Sequence, residues 1–120
     1  MAINSAAARP GDLAAAASLF RGLADPTRLA IVQRLAGGDA RVVDLTRQLA
    51  LAQSTVSGHL ACLRDCGLVT ARPEGRQMFY SLARPELAGL LAAAERLLEA
   101  TGWQVALCPV YGAGSSEMTG

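Results

Sequence analysis

The segment 43–82 constrains this chain more than any other. Residues 43–50 and 53–66 both carry apolar side chains at helical spacing, Leu45 and Leu49 in the first and Val56, Leu60 and Leu63 in the second. Only Leu51 and Ala52 separate the two runs, and Gly67 ends the second. Residues 68–72 then read as a strand and Pro73-Glu74-Gly75 as a turn. Residues 76–82 return as a second strand, with Met78 and Tyr80 on one face. Two short helices across a tight turn, with a hairpin directly behind them, predict a winged helix-turn-helix: mostly α, with a β-hairpin wing.

The flanks extend this to five helices. In residues 12–24 the series Leu13, Ala16, Ala17, Phe20 and Leu23 has helical period. Asp25-Pro26 restarts the chain, since Asp caps a helix well and Pro is tolerated at its first position. Residues 26–36 follow with Leu29, Val32 and Leu35 inward, and Gly37-Gly38 stops them. The last helix, residues 85–101, is lined by Leu87, Leu90, Leu91, Ala94, Leu97 and Leu98. That stripe suits a core-facing helix or a dimer seam. One domain is expected over residues 12–101. A flexible arm, residues 1–11, precedes it, and a tail, residues 102–120, follows. In the tail Trp103, Cys108 and Tyr111 are the features able to anchor it.

Hydrophobic residues make up 52% of the chain but aromatic ones only 4%, so the core must be built from Ala, Leu and Val. No apolar run approaches the roughly 18 residues that span a bilayer. No basic start with an apolar stretch marks a signal peptide. A cytoplasmic protein without membrane contact is expected.

The net charge of +1 hides an uneven distribution. Residues 41–84 carry six Arg against Asp44, Asp65 and Glu74, whereas residues 85–120 carry Arg96 against four Glu. All eleven cationic residues are Arg, whose planar fork suits phosphate and guanine. The basic middle coincides with the helix-turn-helix and points to double-stranded DNA. The second helix of the pair would enter the major groove with Gln53, Ser54, Thr55, Ser57 and Gly58 foremost, small side chains that reach bases and phosphates. At the wing, Arg72, Arg76 and Gln77 are placed for backbone contact. His59 reads as DNA-proximal or structural.

Three cysteines in a cytoplasmic protein are buried, reactive or metal-bound rather than a disulfide framework. Cys62 and Cys66 lie four apart on the reading helix, which puts both sulfurs on one face. At about 100° per residue they fall about 240° and about 280° round from Val56, at the edge of the core stripe. Two thiols so placed chelate one ion and leave it open to a third ligand, for which Cys108 is the remaining thiol. Thiolates select soft ions. Zinc is among them, and three thiolates without obvious carboxylates best suit large or pyramidal ions such as cadmium, lead or arsenite. Small buried hydrophobes are the bland alternative. A thiol redox sensor, pairing either helix cysteine with Cys108, and a DNA-binding protein without any ligand are others. With one His and neither a nucleophile–base pair nor a phosphate-binding Gly loop, an enzyme is not expected.

The stretches LADPTRLAIVQRLAGG (23–38), STVSGHLACLRDCGLV (54–69) and EGRQMFYSL (74–82) together resemble the ArsR/SmtB family of metal-responsive repressors over residues 12–101. The resemblance implies a homodimer through the first and last helices and one reading helix per protomer. It also implies an inverted-repeat operator released on metal binding, with half-sites about 34 Å apart or a multiple. The family's usual arsenic site needs a CxC-like pair where this chain has Val42, Val43 and Asp44. Its zinc site needs His and Asp in the last helix, where this chain has neither. HLACLRDCGLV and the closing EMTG are instead similar to the CmtR-type cadmium/lead sensors. By that resemblance the metal ligands are Cys62, Cys66 and Cys108. An arsenite-responsive repressor using the same three cysteines is the alternative within the family.

Overall fold

The computed structural model of the chain describes residues 9–107. Five helices and three short strands follow in the order α1 (Pro10–Leu23), α2 (Pro26–Ala36), β1 (Ala40–Arg41), α3 (Val42–Leu49), α4 (Gln53–Asp65), β2 (Val69–Glu74), β3 (Gln77–Leu82) and α5 (Glu86–Ala100). The fold is the winged helix-turn-helix that the sequence predicts.

Local chemistry sets the helix starts. α1 begins at Pro10, ahead of the expected Asp12, because Pro suits the first helical position and the Asp12 carboxylate reaches back to the Arg9 N–H at 3.2 Å. Asp25 caps α2 by accepting from the Arg28 N–H at 3.0 Å. In α3 Asp44 accepts from the Arg41 N–H at 2.9 Å and pairs with the Arg41 guanidinium at 2.8 Å. The turn into α4 is made by Ala50, a non-Gly residue at φ 56° and ψ 48°, whose N–H returns to the Thr46 carbonyl. Left-handed backbone costs an L-residue about 1–2 kcal/mol. The tight helix–helix angle is set at that expense.

The three strands form one antiparallel sheet in the order β1-β3-β2. β1 has no sequence signal, since two residues show no period. The hairpin turn is Gly75-Arg76 rather than Pro73-Glu74-Gly75. β2 runs on through Pro73, which faces Met78 in the register. β2 is an edge strand, so Pro there removes no ladder hydrogen bond. Within this turn Gly75 has the positive φ (65°), the pattern of a two-residue hairpin loop with Gly at its first position.

Ile31, Val32, Leu45, Val56, Leu60 and Leu63 are fully buried, which fixes α2, α3 and α4 against one another. Each is worth roughly 1.5–3 kcal/mol of burial. The apolar stripe of α1 behaves differently. Leu13 and Phe20 are 59% and 57% exposed, as is Leu97 of α5 at 67%, so these faces lie outside the core of this chain. Among the described residues no helix is long and apolar enough to cross a membrane.

The Arg41–Asp44 pair makes stability pH-dependent. The Arg41 side chain and N–H pull the Asp44 carboxyl down to about 2. A carboxyl lowered on folding contributes fully above its unfolded value and loses that contribution as pH falls through about 2. Asp44→Asn is therefore expected to lose about 1 kcal/mol near neutrality, after allowance for partial exposure. In urea unfolding the gap between parent and variant should close as the pH approaches 2.

Candidate functional site

α4 presents two chemically different edges. Val56, Leu60 and Leu63 anchor it in the core. Gln53, Ser54, Thr55, Ser57 and Gly58 are all exposed along its N-terminal half. Ala52 at the N-cap offers no side-chain oxygen, so the first-turn N–H groups stay available to an acceptor outside the chain. A Cβ built on Gly58 would meet nothing within 4 Å. Among the described residues, no packing accounts for a glycine in this helix.

The wing places its predicted residues unequally. Arg76 occupies the exposed tip turn and Gln77 opens β3 beside it. Arg72 is engaged within the chain. Its guanidinium meets Asp39 at 2.6 Å, Ser81 at 3.2 Å and Glu74 at 3.4 Å. The register sets Phe79 opposite both Arg72 on β2 and Arg41 on β1, and both guanidinium carbons lie over its ring, at 5.4 and 6.0 Å. Asp39 is held below the usual carboxylate range, chiefly by its hydrogen bond from Arg72. Arg72 thus fastens the wing root to the segment before β1, its charge balanced by partners 33 residues and two residues away in the chain.

His59 is half-buried between α2 and α4. Its Nδ1 lies 3.4 Å from Arg28 Nη1, and its Nε2 3.8 Å from Asp25 Oδ2. Nδ1 accepts from that guanidinium in the tautomer that carries its proton on Nε2. Arg28 also donates from Nε to the Gly22 carbonyl at 2.7 Å and from Nη2 to the Arg21 carbonyl at 3.2 Å. One guanidinium thus closes the C-terminal end of α1 and braces the reading helix. Nothing in the sequence around Arg28 signals this junction, which joins three helices.

Cys62 is half-buried and Cys66 exposed. Cys66 is the C-cap of α4 rather than a residue within it, and its N–H donates to the Cys62 carbonyl at 3.1 Å. Desolvation first, and then the nearby Cys62, push the Cys66 thiol above its ordinary value. As two soft donors one helical turn apart, the pair fits a thiophilic ion in part. Among the described residues, no set of three or more His, Cys, Asp or Glu includes the pair. Cys108 lies outside the described residues, as does Tyr111. The start of the tail is held not by the Trp103 side chain, as the residue is 65% exposed, but by Ala106 and Leu107. The Ala106 carbonyl accepts from Gln33, the Leu107 N–H donates to Glu95, and Leu107 packs against the core.

Known proteins share this arrangement. The family model described as "Bacterial regulatory protein, arsR family" matches residues 25–71, from the cap of α2 into the wing. The solved structure of HlyU from Vibrio cholerae superimposes with a TM-score of 0.67 at 35% identity, covering 74% of this chain and 97% of that one. This chain belongs to the arsR family. Within the family it is 51% identical over 77 residues to the HTH-type transcriptional regulator CmtR of Mycobacterium tuberculosis, across 64% of this chain and 65% of that protein. It is 41% identical over 81 residues to a probable mercury resistance operon repressor of Streptomyces lividans, across 68% of this chain and 65% of that one. The match thus spans just under two thirds of the length of both regulators. The matched segment holds the helix-turn-helix, and the family model that matches it is described as regulatory.

Proposed function

We propose that the chain is a homodimeric transcriptional repressor that binds an inverted-repeat operator through α4 and releases it when a thiophilic cation, cadmium or lead, is held by Cys62, Cys66 and Cys108. The observation that carries this reading is the position of the thiol pair. Both sulfurs ride on the one helix whose opposite end presents Gln53, Ser54, Thr55, Ser57 and Gly58 outward. Whatever is held at one end of α4 loads the element that must fit the groove.

Pairing is supported by the outward apolar faces of α1 and α5, where Leu13, Phe20 and Leu97 need a partner surface. A second protomer would set two reading helices about one turn of DNA apart. At the wing, Arg76 and Gln77 reach the neighbouring backbone, while Arg72 stiffens the hairpin. His59 holds α4 in place from the side. When ligated, the sulfurs give up their protons and draw in the segment beyond Leu107, which brings Cys108 to the pair. The relatives named for mercury resistance and as CmtR favour a metal as the signal.

The test is an ultraviolet titration of the dimer with cadmium, lead, zinc and arsenite, repeated on Cys108→Ser. A thiolate-to-metal band with cadmium or lead, weakened in the variant, is expected. Operator DNA should lower metal affinity by the same factor by which metal lowers operator affinity, because coupling is reciprocal. Equal metal affinities with and without operator would end the repressor-switch reading.

A further inference from the structure

We infer that Gly22 and Arg28 are positioning residues that seat the Cys66 sulfur against the end of α1 and tie that helix end to His59 on the reading helix. The inference rests on the thiol-pair reading for the nature of the signal, but its geometry stands alone. Gly22 is buried in the last turn of α1. A Cβ there would lie 2.8 Å from Cys66 Sγ and 3.5 Å from Cys66 Cβ, so the sulfur fills the space a side chain would take. A helical glycine costs about 1 kcal/mol relative to Ala. The backbone φ at Gly22 is not positive, so conformation does not require it. The close approach of the thiol does.

The same peptide unit is gripped from its other side. The Gly22 carbonyl accepts from Arg28 Nε at 2.7 Å, and Nη1 of the same guanidinium faces His59 Nδ1 at 3.4 Å. Cys66, Gly22, Arg28 and His59 thus form one unbroken line of contact. It leaves α4 at its C-terminal end, crosses the end of α1 and returns to α4 one residue past Gly58. A ligand on the Cys66 sulfur cannot occupy the gap against Gly22 without moving α1 or swinging the sulfur out. Moving α1 pulls on Arg28.

Two variants separate the steps. Gly22→Ala is expected to turn the sulfur outward, so Cys66 in a Cys62→Ser background should be alkylated by iodoacetamide severalfold faster without any metal. Its metal-free operator affinity should stay near the parent's, and the ratio of operator affinities without and with cadmium should fall about tenfold or more. Arg28→Gln should leave alkylation and the cadmium–thiolate band as in the parent and lose that ratio. Circular dichroism checks that each variant is helical, and if Gly22→Ala unfolds, Arg28→Gln decides. Parent-like alkylation in a folded Gly22→Ala overturns the seating, and a parent-like release ratio in Arg28→Gln overturns the link. If the parent shows no cadmium–thiolate band, the metal reading has failed, and the alkylation contrast still judges the seating.

Discussion

Cys62→Ser should bind operator as the parent does and remain bound when cadmium is added. Serine nearly matches cysteine in size, and Cys62 is only half-buried, so helix and core have no reason to change. Its hydroxyl is a hard, protonated donor and a poor ligand for a soft ion. The release ratio, of the order of 5–150-fold for a typical coupled pair of sites, should fall to about one. Fluorescence anisotropy of labelled operator, with and without metal, gives that ratio directly. A variant that let go at the parent's cadmium concentration would show that the thiol pair is not where the signal is received.

Gly58→Ala should move stability and DNA binding in opposite directions. In a helix, Ala for Gly is worth about 0.8–1 kcal/mol of stability. A Cβ at 58 meets nothing within 4 Å among the described residues, so no clash there offsets that gain. A glycine that weakens its helix and fills no internal need is explained by close approach of something external. On the exposed edge beside Ser57, the proposed operator complex would bring the DNA backbone to that point. The added methyl should cost operator affinity about tenfold, the size of one mismatched base pair. Urea unfolding and operator titration of the same sample provide both numbers. Higher stability with unchanged affinity would place DNA farther from α4 at this point.

Much of the reading head was legible because its helices are amphipathic against one core. Val56, Leu60 and Leu63 have the right spacing and are buried, as are Val32, Leu35 and Leu45. The periodicity of α1 is equally real in sequence, yet Leu13 and Phe20 face out. Spacing reports that a face is apolar, not which molecule covers it. The turn was displaced toward Gly75-Arg76 because Pro73 is permitted on an edge strand, and sequence does not tell an edge from a middle strand. β1 was too short to show any pattern.

The site was legible where residues share one helix. The spacing of Cys62 and Cys66 alone placed both sulfurs together. It was illegible where partners are distant in sequence. Asp39 pairs with Arg72 from 33 residues away, so a residue read as a phosphate contact also braces the wing, and no local pattern reports that partner. His59 owes its setting to Arg28, 31 residues earlier, and no local pattern reports a guanidinium that binds three groups at once.

Burial is graded across the molecule. The deepest side chains, Ile31, Val32, Leu45, Val56, Leu60 and Leu63, come from α2, α3 and α4, while Leu23 of α1 and Leu87 and Leu91 of α5 are sealed less completely. In the proposed dimer the three inner helices would form the block that carries the reading edge, and the outer two its mounts. Tilting such a block on its mounts repacks few interior atoms, so a modest push can re-aim it while its own shape survives intact.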